Sequence, residues 1–227
     1  MDRSVARIGS IAGWLSLAGI FGYHLMLTVL AGQRVSGTSD LGAIQAYFGQ
    51  SAVAAAGVEQ FIVVIAVAVF VVALRQTLAV DDLRGMITTV ALVAAGAELA
   101  VILVEISIQA ALVVSVQAGE PVAGLFRLWD VLYNSGAYAL EATWVIAFGI
   151  AMRNRPEFPA PMRWLSAIGG ALLAINIFAI WIHIPDAATL PSAVVLAVWL
   201  AGASIGLGRI GSPDAVARTS VTSSQPA

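Results

Sequence analysis

Five of the 13 acidic residues in this 227-residue chain fall inside long apolar runs: Glu59, Glu98, Glu105, Asp130 and Glu141. His24, Gln109, Asn134, Tyr138, Asn176 and His183 lie in the same runs. A carboxylate at the centre of a membrane helix costs at least about 2.5–3.5 kcal/mol, so such residues mark ion paths, proton relays or ligand contacts by default. Titratable groups at graded depth suit a proton or cation relay. A protonated carboxyl beside a greasy cavity suits acid–base chemistry on a lipid or isoprenoid. Glu98 and Glu141 are the candidates for either role, because no arginine lies deep in any run to pair with them and the two could share a proton. Metal binding is not indicated: HxxxH, HExxH and ExxH spacings are absent. Nor is there a phosphate-binding glycine loop, a Ser-His-Asp order or a histidine pair suited to haem. No cofactor is expected.

Other chemistries are excluded by composition. There is no cysteine, hence no disulfide framework, thiolate metal site or thiol nucleophile. All 11 basic residues are arginine, so no lysine is present to form a Schiff base or carry retinal. The basic and acidic totals, 11 and 13, leave no basic tail or patch for nucleic acid. The chain is 60% hydrophobic and only 11% charged, with a mean hydropathy of +0.93. A soluble domain runs nearer half apolar and a quarter charged, so these values describe a polytopic membrane protein whose first partner is the lipid bilayer.

A hydrocarbon core of about 30 Å needs roughly 20 apolar residues in helix. Six stretches meet that length: Ile8 to Leu30, Ala54 to Leu74, Met86 to Val116, Leu128 to Met152, Trp164 to Ile184 and Leu190 to Gly208. The third is too long for one perpendicular span and must tilt or continue as an outer stub. The first exceeds the apolar core of a signal peptide, about 7–15 residues, and carries His24. With the N-terminus inside, Arg3, Arg7, Arg75, Arg84, Arg153, Arg155, Arg163, Arg209 and Arg218 are cytoplasmic, and only Arg34 and Arg127 are outside. That bias predicts an all-α, six-helix transmembrane domain over residues 1–211 with both termini cytoplasmic. Residues 212–227, rich in Ser and Thr, are expected to form a disordered cytoplasmic tail. In the first outer loop, Asp40 is placed to cap a short helix whose Leu41, Ile44 and Phe48 share one face on the membrane surface.

Helical geometry then groups the polar residues. Glu98 and Glu105 are two turns apart on one face, and Gln109 continues the stripe one turn on. Asp130, Asn134 and Glu141 fall within a narrow arc, with Tyr138 at its edge, and Asn176 and His183 repeat the seven-residue spacing. Three such stripes facing lipid would be prohibitive, so they are expected to line one interior. Rise per residue puts Glu98 and Glu141 near the midplane and Asn176 slightly outward of it. Glu59, Glu105, Asp130, His24 and His183 fall in the outer half. The expected object is an acidic pocket opening outward, floored by Glu98 and Glu141 and walled by Glu105, Gln109, Asp130, Asn134, Tyr138 and Asn176. His24, Glu59 and His183 stand at its mouth.

Plainer roles compete. Asp130 can pair with Arg127 at the surface. Glu59 can reach headgroup water, and His24 and His183 can be interfacial. Gln109 and Asn176 can serve as interhelical hydrogen bonds of about 0.6 kcal/mol each. Trp14, Trp129, Trp164 and Trp181 read as interface anchors, whereas Trp144 and Trp199 lie deeper. Gly9, Gly13 and Gly169-Gly170 mark close helix packing.

Several short motifs recur in a known layout: Arg7-Ile-Gly-Ser-Ile-Ala-Gly13, Asn134-Ser-Gly-Ala-Tyr138, Ala147-Phe-Gly149, Phe158-Pro-Ala-Pro-Met-Arg163 and Ile168-Gly-Gly170. From Arg7 to Gly208 the chain resembles the DUF4386-like family, six-helix integral membrane proteins common in actinobacteria. The resemblance implies a six-helix fold in the inner (plasma) membrane and carries no activity or catalytic residue list. Three functions are therefore open: a protein that binds or helps move a small molecule or cation, a membrane-embedded acid–base enzyme, and a structural or regulatory partner of another membrane protein or of a second copy.

Overall fold

A computed structural model describes residues 2–32, 35–36, 39–133, 137–177 and 190–212. Asn134, Trp181, His183 and the expected tail beyond Ser212 lie outside the described residues. The fold is all-helical, with no strand among those residues. Helix α1 spans Arg3–Leu25 and runs on into a π-helical turn, Met26–Leu30. It is followed by α2 (Leu41–Phe48), α3 (Ser51–Leu78), α4 (Asp82–Ala118) and α5 (Ala123–Val131). The last three are α6 (Tyr138–Ala151), α7 (Met162–Asn176) and α8 (Leu190–Gly211). Among the described residues four stretches are long and apolar enough to cross a membrane: Arg3–Leu30, Ser51–Leu78, Asp82–Ala118 and Pro191–Gly211.

Caps set the helix starts. Asp2, Asp40 and Asp81 each accept a backbone N–H of the first turn, from Ser4 at 2.9 Å, Ala43 at 2.7 Å and Arg84 at 2.8 Å. The long α4 stops at Gly119, whose left-handed φ of 72° lets Glu120 N–H close back on Ser115 C=O at 2.9 Å. At ~1.5 Å per residue its 37 residues reach ~55 Å, well beyond a hydrocarbon core. The helices α2 and α5 pack against α4.

Six helices close a ring in the order α1, α3, α4, α6, α7, α8 and back to α1. Small residues make the closure possible. A methyl group at Gly9 would overlap Ala73, and one at Gly13 would overlap Ser204 and Phe70. Beside them Ser10 Oγ donates to Ser204 C=O at 2.8 Å, joining the two ends of the chain. Gly170 likewise admits Ile146 of α6. Gly13→Leu is expected to lower stability by about 1–3 kcal/mol through overpacking. Unfolding in mixed micelles measures it, and a wild-type midpoint would contradict so close an approach.

Two apolar clusters fill the ring. One surrounds Phe70, Trp144, Phe148 and Trp199. The other gathers Tyr47, Phe48, Phe126 and Trp129 around Tyr23 and Leu27. Along α4 the first cluster takes Ala91, Ala94 and Ala95 and the second takes Ile108, Leu112 and Val113. Glu98 and Glu105 fall between them. Outside the ring, Val58, Ile65 and Val93 are about two-thirds exposed, as befits helices bathed in lipid.

Two local expectations are corrected. Leu41 is exposed, but most of the apolar face of α2 is taken up by the protein itself: Ile44 and Phe48 are buried together with Tyr47, Tyr47 Oη donates to Leu27 C=O at 3.2 Å, and Phe48 meets Trp129 edge-on at 5.2 Å. Trp129 of α5 is accordingly a core residue, not an interface anchor, because the rings of Phe48, Phe126 and Tyr133 cover it. Trp14 and Trp164 are exposed, as anchors should be. The fourth apolar run is divided between α5 and α6, and α6 alone, with 14 residues, is too short for a full span.

Candidate functional site

The α4 stripe is as its spacing predicts. Ala91, Glu98, Glu105 and Leu112, each seven residues from the next, are all buried, and Gln109 joins them. Glu98, near the middle of α4, is only 7% exposed, and its Oε2 accepts the indole N–H of Trp144. Glu141, 9% exposed, comes from α6, one turn before the Trp144 that reaches Glu98 and buried with it. Among the described residues neither carboxyl has a guanidinium or imidazole within 4.0 Å. The first turn of α6 positions both members of this arrangement, since Glu141 and Trp144 are three apart and share its inward face.

A second polar cluster lies two to three turns further along α4. Tyr23 Oη is 3.5 Å from Glu105 Oε1 and 3.3 Å from Gln109 Oε1. Gln109 Nε2 donates to Val53 C=O at 2.9 Å, with Gly57 leaving room for the amide. Here α1, α3 and α4 meet. The Glu59 carboxyl packs over Gly22 at the same junction, and among the described residues its buried Oε2 has no hydrogen-bond partner, nor does Oε1 of neighbouring Gln60. Buried acceptors of this kind call for a donor from water, a proton or a cation.

The remaining predicted residues are distributed differently. Asn176 is buried but spends its amide on Ser192 Oγ at 2.7 Å, between α7 and α8. Tyr138 is half-buried where α6 begins, packed on the core that holds Trp144. Asp130 is half-buried on α5, a turn from the exposed Arg127. His24 is exposed, and its Nδ1 lies 3.5 Å from Tyr133 Oη. Thus α4 and α6 bring their acids together, whereas α7 turns its asparagine to α8. Among the described residues no three His, Asp or Glu side chains converge as metal ligands.

Two partners escape inspection of the polar residues alone. Tyr23 bridges Glu105 and Gln109, and the signal for it is the seven-residue series Gly9, Ser16, Tyr23 on the buried face of α1. Trp144 reads as a deep tryptophan, but nothing in its spacing names Glu98 as the group its N–H reaches.

Chemically, two buried carboxyls without a basic neighbour need positive charge between them, supplied by a shared proton or a bound cation. The indole N–H fixes one oxygen of Glu98 and leaves the other lone pairs for that charge. Compared with protein-family models, curated proteins and solved structures, the chain matches none. The site rests on its own chemistry.

Proposed function

We propose that this is a six-span inner-membrane protein with cytoplasmic termini, whose outward-facing acidic interior binds and helps move a cation or a small molecule. In this reading α5 and α6 together make the fourth span and α7 opens the fifth. The DUF4386-like resemblance is part of the same proposal, and it names no cargo. The observation that carries the reading is the juxtaposition of Glu98 and Glu141, buried and without a basic partner. Such a pair exchanges a proton or a cation at little reorganisation, because its charge is compensated only by what it binds. The unpartnered Glu59 oxygen and the Glu105–Tyr23–Gln109 cluster continue the polar surface along α4.

Purified protein in proteoliposomes tests this. Imposed proton, sodium or potassium gradients are expected to dissipate faster than in empty vesicles, by a pH or cation dye. Equal leak under every gradient, with conversion of a lipid in membrane extracts, would favour the acid–base enzyme instead. Orientation is tested separately in this cysteine-free chain. Exposed Gln117→Cys is expected to react with an impermeant maleimide in intact cells, and exposed Asn154→Cys only after permeabilisation. The reverse pattern would invert the topology.

A further inference from the structure

A different part of the molecule carries charge of the opposite sign. A cavity of about 590 Å³ opens at the end of the ring where α6 stops, α7 starts and α8 stops. Arg153, Arg155, Arg163 and Arg209 line it, and no carboxylate does. Glu157, in the same loop, is paired with Arg155 at 3.2 Å. Among the described residues Arg153, Arg163 and Arg209 have no carboxylate within 4.0 Å.

The arginines are held by a built loop. Arg209 Nη1 donates to Glu157 C=O at 3.2 Å, and Arg84 Nη2 to Arg153 C=O at 3.4 Å. Asn154 takes the left-handed turn, φ 64°, that reverses the chain after α6. Phe158 and Met162 are buried against Gly206 and Gly202, where a methyl group would overlap each of them. A bias of arginines towards one side of a bilayer requires only that they lie in loops there. It does not require that four converge on one anchored cavity.

We propose that this cavity binds the phosphate of an anionic phospholipid headgroup. Guanidinium groups match phosphate oxygens in a planar, two-point geometry, and the N-terminal end of α7 adds its positive dipole. Two observations point to lipid as the source of the phosphate. Arg163 lies 5.0 Å over the ring of Trp164, which is 61% exposed, and Ile168, one turn on, is also exposed. An acyl chain therefore finds an apolar track directly beside the cationic cavity. The cavity is independent of the Glu98–Glu141 pair, and only its assignment to the inner leaflet rests on the proposed topology.

The full chain, purified in detergent, is titrated with phosphatidylglycerol, phosphatidylcholine and inorganic phosphate, and retention is read by native mass spectrometry. Phosphatidylglycerol is expected to bind about tenfold or more tightly than phosphatidylcholine. The double variant Arg153→Gln/Arg163→Gln, at two exposed positions, is expected to bind phosphatidylglycerol about thirtyfold more weakly, roughly fivefold per basic group, and so to lose the preference. Arg153→Lys/Arg163→Lys is expected to retain most of it. Equal affinity for the two lipids, or unchanged phosphatidylglycerol binding in the Gln variant, would overturn the site. Displacement of phosphatidylglycerol by equimolar inorganic phosphate would overturn the lipid assignment in favour of a soluble anion.

Discussion

Glu98→Gln and Glu141→Gln are each expected to abolish gradient-driven flux in proteoliposomes, by on the order of a hundredfold or more, the scale of losing a proton-transfer group. Glutamine keeps the length of the side chain. At position 98 its carbonyl oxygen still accepts the indole N–H of Trp144, so the local packing survives. What disappears is the capacity to bind a proton or cation reversibly. Since neither carboxyl has a basic partner, its removal strands no buried positive charge. Stability is therefore expected to stay level or rise, the reverse of breaking a buried ion pair. The combination of intact unfolding midpoint and lost flux separates function from architecture. Two Gln variants that carry flux like the wild type would remove the acidic pair from any transport role. Trp144→Phe is expected to fall between, since it leaves both acids and removes only the donor that orients one of them.

Trp199→Ala is expected to destabilise the fold by about 3–5 kcal/mol, the largest effect of any single truncation considered. Trp199 is on α8 and is fully buried. Its ring meets Phe70 of α3 edge-on at 6.3 Å and Trp144 of α6 at 5.3 Å. Its indole N–H donates to Ser166 of α7 at 2.7 Å. One side chain thus touches three other helices of the ring, and alanine leaves a cavity that rigid helices cannot close. Trp199→Phe refills most of the volume but removes the N–H that Ser166 Oγ accepts, leaving Ser166 only its own bond to Met162 C=O at 2.8 Å, for a loss of about 1 kcal/mol. Unfolding of the two variants in mixed micelles gives both numbers, and a small loss for the alanine variant would mean that the helices re-pack freely. The same truncation loosens Trp144, so it is also expected to lower flux, indirectly through Glu98.

Much of the fold was legible from residue types alone. Apolar runs located the long helices, because only a helix satisfies its backbone within a membrane. Asp40 announced a helix start, since capping chemistry is local. Spacing of seven along α4 placed Glu98 and Glu105 on one buried face before any neighbour was known.

Other features depended on contacts distant in sequence. The surface of α2 looked suited to a membrane interface, yet Trp129 and Phe126, far along the chain, claim it. The π-helical turn after α1 has no composition signal; it lies where Tyr47 bonds to Leu27. Asn176 looked like part of the acidic interior, but α8 offers Ser192 as a nearer partner.

The sparse charge of the chain, and its order along each helix, determined that an acidic face must be buried and that the arginines gather at the ends. Periodicity fixes the direction in which a side chain leaves its own helix. It does not fix the rotation of one helix against the next, which here is set by where Gly9, Gly13 and Gly170 allow close approach. Only the closed ring decided that Glu98 meets Glu141 and Trp144, and that four arginines share one cavity, because those meetings join residues from helices whose mutual positions no local pattern encodes.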